Sequence, residues 1–167
     1  MAPPDSDQFL AQKTAALCRE YFPRRQITNL LVVRWGKPWK TKLGHIKPLQ
    51  KNPEFGSLIE LNTVFQDPRV PGYVLDVTIL HELIHYFQGF ASNHPRLHRH
   101  PHRGGKVTNE FKQFGWSELL QKQNLWVKQN WPKLWKEHDQ QHRLKHPKKT
   151  RPKTKKPRSL WNQLFHS

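Results

Sequence analysis

Apolar residues recur at helical spacing between Asp7 and Tyr21, where Phe9, Leu10, Leu17, Cys18 and Tyr21 share a side with Thr14. Ser6 or Asp5 stands where a helix needs an N-cap, and Phe22-Pro23 ends the pattern. From Ile27 to Trp35 the chain is β-branched and aromatic, which predicts a strand. Gly36-Lys37-Pro38 breaks it, and Trp39 to Ile46 is expected to return as the second strand of a twisted hairpin. Lys47 to Gly56 reads as loop. Ser57 to Asn62 alternates and predicts a third strand, with Thr63-Val64-Phe65 as an extension. The turn signal Asp67 to Gly72 precedes the most apolar stretch of the chain, Tyr73 to Phe90, which predicts a core helix ending near Gly89. Ala91 to Gly105 is polar and reads as loop. Val107 to Phe114 predicts a short helix closed by Gly115, Trp116 to Gln129 a further one, and Trp131-Pro132 the start of a last helix reaching about Leu144.

The pattern divides the chain into a folded domain over residues 1–144 and a tail over 145–167. The tail is Lys- and Pro-rich, with a small apolar patch at Leu160-Trp161 and Leu164-Phe165, and its composition predicts disorder.

The apolar helix carries His81-Glu82-Leu83-Ile84-His85 at its centre. Residues four apart on a helix share a face, so the two imidazoles point the same way and are placed to hold one metal ion, with Glu82 beside it as general base. From the His and Glu content of this chain, an accidental His-Glu-x-x-His is expected roughly 3% of the time. Burying three polar side chains in an apolar helix without partners costs several kcal/mol, which favours the metal reading over two ordinary histidines and a solvent-facing glutamate. Tyr86 adjoins the second histidine, and a packing role is expected for it. Asp76 lies on another face and reads as a helix-start charge.

Composition adds three constraints. The single cysteine, Cys18, permits neither an internal disulfide nor a Cys-based zinc site, and it is expected to pack. No stretch approaches the length of a membrane span, and the N-terminus lacks a basic-then-apolar signal pattern, so a cytosolic monomer with no membrane partner is expected. The net charge of +17 and pI near 10.4 favour a polyanionic partner. Nucleic acid bound through the basic tail is the partner considered, with Trp126, Trp131 and Trp135 as stacking faces or as a packed helix face; that would place the protein at a nucleoid or in a nucleus.

The order of elements, with Trp39 and Leu43-Gly44 in the hairpin, Ile59-Glu60-Leu61-Asn62 in the strand and Tyr73-Val74-Leu75 leading into His81-Glu82-Leu83-Ile84-His85, resembles the SprT-like zinc metallopeptidases, relatives of Spartan. The resemblance spans about residues 7–115. It implies an α+β fold: a small zincin-like domain with a few-stranded twisted sheet packed on helices and the motif on a central helix. It also implies a zinc cofactor, a protein or peptide substrate, and water-mediated hydrolysis in which Glu82 carries the proton. Such enzymes take a third ligand from a histidine after the second one, ahead of a Glu-aromatic pair. Glu110-Phe111 resembles that pair, but Val107, Thr108 and Asn109 precede it.

The third ligand is therefore open among His102, the first choice, because it adjoins the next helix and a Gly-Gly turn; Glu110, which would give a site of two histidines and a carboxylate; and His94, which needs the loop to double back. His98 and His100 read as solvated loop residues. Two other functions are weighed: a non-catalytic nucleic-acid-binding protein on a zincin scaffold, and a metal-dependent hydrolase of non-peptide substrates.

Overall fold

The computed structural model describes residues 6–51, 55–100 and 103–145. It is an α+β fold of four α-helices and one three-stranded mixed sheet. The order is α1 (Asp7–Tyr21), β1 (Leu31–Trp35), β2 (Gly44–Pro48), β3 (Ser57–Leu61), α2 (Gly72–Phe87), α3 (Lys106–Gln113) and α4 (Ser117–Lys145). No helix among the described residues is long and apolar enough to cross a membrane. The expected tail over 145–167 lies, apart from Lys145, outside the described residues.

Helix α1 starts where Ser6 accepts the Phe9 N–H at 3.2 Å, and it buries Leu10, Thr14 and Leu17 at three- to four-residue spacing. Tied to it by Lys13, which pairs with Asp76 at 2.6 Å, is α2. Asp76 therefore serves as an inter-helix partner rather than a bare helix-start charge.

The sheet departs from the expected hairpin. Its order is β1-β3-β2, with β1 parallel and β2 antiparallel to β3. Residues 36–43 form a loop that carries the chain past the slot taken by β3, and partners from elsewhere hold it. Asn62, fully buried, donates from Nδ2 to the carbonyls of Trp39 (2.8 Å) and Lys42 (2.7 Å), while its Oδ1 accepts the Val64 N–H. Trp131 and Trp135 of α4 donate their indole N–H to the carbonyls of Lys40 (3.1 Å) and Pro38 (2.8 Å). The second strand consequently forms at Gly44–Pro48, later than expected, and Ile27–Leu30 are not strand. The expected extension at Thr63 to Phe65 is a 3-10 turn capped by Asn62. All five residues of β3 are buried, as befits a central strand flanked on both edges.

Helix α2 buries Val74, Leu75, Val77, Ile79, Leu80, Leu83, Ile84, Tyr86 and Phe87, so it is apolar nearly all round and forms the middle of the core. Its neighbour β2 approaches closely through Gly44, where an added Cβ would sit 3.1 Å from both the Thr78 and Leu61 methyls. Past α2, Gly89 (φ +75°) turns the chain back on itself. A side chain there would strike the Pro95 carbonyl, and Leu97 N–H bonds the Gln88 carbonyl at 3.0 Å.

The two helices expected on either side of Trp131-Pro132 are one helix, α4, with Pro132 inside it. Trp131 and Leu134, both buried, fix the chain to the core on either side of the proline, and that packing holds the helix through the lost hydrogen bond. Near its far end, Asp67 accepts from Arg69 Nη2 at 2.6 Å and pairs with His138 at 3.0 Å, while Arg69 also reaches Glu137 at 2.8 Å.

The Arg69 guanidinium beside it holds the Asp67 carboxyl well below the usual carboxylate range. A carboxyl depressed on folding stabilises the protein above its unfolded value, about 3.9, and loses that contribution as pH falls through the folded value. Asp67→Asn is expected to cost about 2 kcal/mol at pH 7, roughly 5 °C in thermal melting. The gap to the parent should narrow in melts below about pH 4. A gap that widens with acid would contradict this assignment.

Candidate metal-binding and catalytic cleft

Because α2 continues unbroken through the motif, His81 and His85 lie one turn apart on one face. Their Nε2 atoms approach to 3.1 Å, with ring centroids 4.8 Å apart. Phe90 flanks the His85 ring at 5.9 Å and Phe111 of α3 the His81 ring at 6.3 Å. Two nitrogens bound tetrahedrally to one zinc at about 2.0–2.1 Å sit about 3.3 Å apart. The pair therefore fits a shared zinc ion with an opening of a few tenths of an ångström.

Glu82 is 5% exposed. Burial pushes its carboxyl up to about 8, against the pull of the Ile46 N–H that bonds it. That N–H belongs to the outer edge of β2. Leu43 gives its carbonyl to Asn62 and Leu49 its N–H to the Gly56 carbonyl, so odd-numbered residues of this strand bond inward. The backbones of Gly44, Ile46 and Pro48 then face outward, where Pro48 has no N–H to leave unpaired.

This edge and α2 enclose a cleft of about 490 Å³, lined by Thr41 to Ile46, Thr78, His81, Glu82, His85, Phe90 and Gln123. Gln123 reaches in from α4. Its Nε2 donates to the Val74 carbonyl and to Thr78 Oγ1, each at 2.9 Å. The carbonyl partner fixes the amide orientation, and Oε1 is left as an acceptor.

Of the expected third ligands, the two within the described residues are bonded to other groups. His102 lies outside the described residues. Glu110 accepts from Arg25 at 2.9 Å and from Gln88 at 3.1 Å. His94 packs its ring on Tyr86 and Phe87, at 5.2 and 5.5 Å, and bonds the Gln26 carbonyl at 3.0 Å, away from the histidine pair. The residues that α3 buries are Val107 and Phe111. Among the described residues no group of three His, Cys, Asp or Glu side chains is arranged to hold a metal. Tyr86 is a packing residue, as expected, with its hydroxyl donating to Asn29 Oδ1 and accepting the Thr28 N–H.

Gln123 and the Ile46 N–H were not foreseen from sequence. Thr78, three residues before His81, falls on the motif face by helical spacing alone, but nothing in the sequence ties Gln123 to it. Comparisons with protein-family models, curated proteins and solved structures return no match.

In metal-free protein, a carboxyl raised by burial keeps its proton in the folded state while the unfolded chain ionises near pH 4.3. Stability should therefore fall as pH rises from there to about 8. Glu82→Gln removes that penalty. Denaturant titration of the metal-free variant at pH 8 should show a gain on the order of 3 kcal/mol, shrinking toward zero near pH 4. A variant less stable than the parent at pH 8 would contradict the assignment.

Proposed function

We infer that the cleft is the active site of a zinc-dependent metallopeptidase of SprT-like type, a zincin-like domain with His81 and His85 as metal ligands. The observation that carries this reading is the convergence of the two imidazole nitrogens at 3.1 Å on the cleft wall, with the Glu82 carboxyl buried beside them. His102, which adjoins the Gly104-Gly105 turn before α3, remains the first choice for the third ligand. Glu110 is held by Arg25 and Gln88, and His94 is turned to the opposite side.

Zinc bound there supplies Lewis-acid polarisation of the scissile carbonyl and a more acidic water. Glu82 does the proton work. Its carboxylate accepts the proton of the attacking water and returns it to the leaving amine. The Ile46 N–H fixes the carboxylate, whose raised proton affinity a dication held by the neighbouring imidazoles would lower. The open backbone groups along β2, namely Gly44 N–H and the Gly44 and Ile46 carbonyls, complement an extended peptide, and Gln123 Oε1 adds an acceptor for a substrate N–H.

The second reading is a non-catalytic protein on the same scaffold. It is favoured by Val107 and Phe111, which occupy the buried face of α3 where a ligand would complete the site. Substitution separates the two. Purified protein loaded with zinc and freed of excess should hold one ion per chain and cleave an unfolded protein such as casein. Glu82→Gln should keep the zinc and lose at least 100-fold in kcat; His81→Ala should lose both. Of the third-ligand variants, His102→Ala should release zinc while Glu110→Ala and His94→Ala retain it. Full proteolysis by Glu82→Gln, or no zinc in the parent protein, would contradict the reading.

A further inference from the structure

Exposed apolar side chains gather at one end of the domain. Among the described residues six large apolar side chains are exposed. Four of them, Ile27, Leu30, Phe55 and Leu97, fall in three segments that meet where β1 and β3 begin and α2 ends. Hydrogen bonds tie these segments together. The Leu30 carbonyl accepts the Ser57 N–H at 2.7 Å, and a side chain on Gly56 would strike that carbonyl and the Leu30 Cβ. Ser57 Oγ donates to the Ala91 carbonyl at 2.5 Å, and His94 Nε2 bonds the Gln26 carbonyl at 3.0 Å. The four side chains therefore stand on neighbouring loops, with Leu30, Phe55 and Leu97 each about 60% exposed. A soluble chain seldom leaves such a group in water without a use for it.

The charge around this group is almost all of one sign. Over residues 22–30, 47–57 and 90–100 the sequence holds Arg24, Arg25, Lys47, Lys51, Arg96 and Arg99 against one acid, Glu54. Arg25 and Lys47 are taken by Glu110 and Glu60, while Arg24, Lys51, Arg96 and Arg99 are exposed. Arg96 lies over the Phe90 ring at 5.8 Å and donates to the His98 and Arg99 carbonyls, which shapes its loop. The non-glycine residues with positive φ, Gln50, Lys51 and Ala91, also belong to these segments. Left-handed backbone is costly for such residues, so contacts hold the loops in a shape their local preferences oppose. Apolar tips ringed by cations match a surface that is apolar at depth and anionic at its rim. A second copy of the chain would set +17 against +17, and a bare polyanion would leave the apolar tips in water.

We propose that this end of the domain seats on an anionic lipid surface, with the four apolar tips entering the headgroup layer and Lys51, Arg96 and Arg99 meeting lipid phosphates. Each contribution alone gives weak partitioning; together they make binding tight and selective for anionic lipid. The contact is at a surface and involves no span, in keeping with the lack of a membrane-crossing helix among the described residues. It revises the expectation of no membrane partner, which rested on span length alone. Phe90 lines the motif cleft and carries Arg96 on its ring, so the seating loop adjoins the cleft. Seating does not depend on the peptidase reading, and zinc content reports on that reading separately.

The test is co-sedimentation of the full chain with sucrose-loaded vesicles of phosphatidylcholine, alone or with about one-third phosphatidylserine. The parent should sediment with the mixed vesicles and stay in solution with phosphatidylcholine alone. Leu30→Ser with Leu97→Ser should lower partitioning roughly tenfold or more, and Arg99→Glu roughly threefold or more. Leu125→Ser on α4, matched in exposure at 58%, should change it less than about twofold. The chain's remaining positive charge also attracts anionic vesicles, so the apolar pair carries the decision. If thermal melting shows the double variant misfolded, Leu97→Ser against Leu125→Ser decides. No vesicle binding by the parent, equal binding to phosphatidylcholine alone, unchanged sedimentation of the double variant, or equal losses in all variants would overturn the proposal. So would a parent that dimerises in solution through the same leucines, since a second copy would then cover them.

Discussion

The approach of two imidazoles within an apolar helix is the constraint on which the rest of the structure turns. Helix α2 is buried nearly all round, and His85 and Glu82 are buried with it, at 2% and 5% exposure. Polar groups taken out of water need partners, or the fold loses several kcal/mol for each. The chain meets this need by bringing β2 against α2 through Gly44, so that the Ile46 N–H reaches Glu82, and by sending Gln123 from α4 to Thr78 and the Val74 carbonyl. The same approach creates the cleft. One edge strand, one helix and one long-range glutamine therefore both stabilise the motif and shape the space in front of it.

Much of this was legible in the residues. Helical spacing located α1 and α2, and Gly89 and Gly115 marked reversals that positive φ angles require. The motif face followed from a four-residue interval. What was not legible depended on contacts distant in sequence. Nothing local says that residues 36–43 will be held by Asn62, Trp131 and Trp135 instead of turning into a hairpin, so the strand order was misjudged. Pro132 looked like a boundary because its own chemistry breaks helices, yet burial of Trp131 and Leu134 outweighs one lost hydrogen bond. Glu110, one of the alternatives for the third ligand, is bonded by Arg25, 85 residues away, and by Gln88, contacts that no local pattern announces.

Charge is organised with similar economy. The acidic residues are few, and several are spent as clamps: Asp76 joins α1 to α2, Asp67 joins the α2 entry to α4, and Glu110 joins the segment after α1 to α3. Glu60 differs, because it holds two cations and a histidine on an exposed face and so concentrates positive charge there. That face meets the cleft at Lys42 and His45.

The central claim is that His81 and His85 share a metal ion. The most direct measurement is an anomalous difference map from crystals of the zinc-loaded protein, collected on both sides of the zinc edge. The account predicts one peak about 2 Å from both Nε2 atoms, with a third protein ligand on the same ion. No peak between the two histidines, or zinc held only by the loop histidines after Gly89, would contradict it.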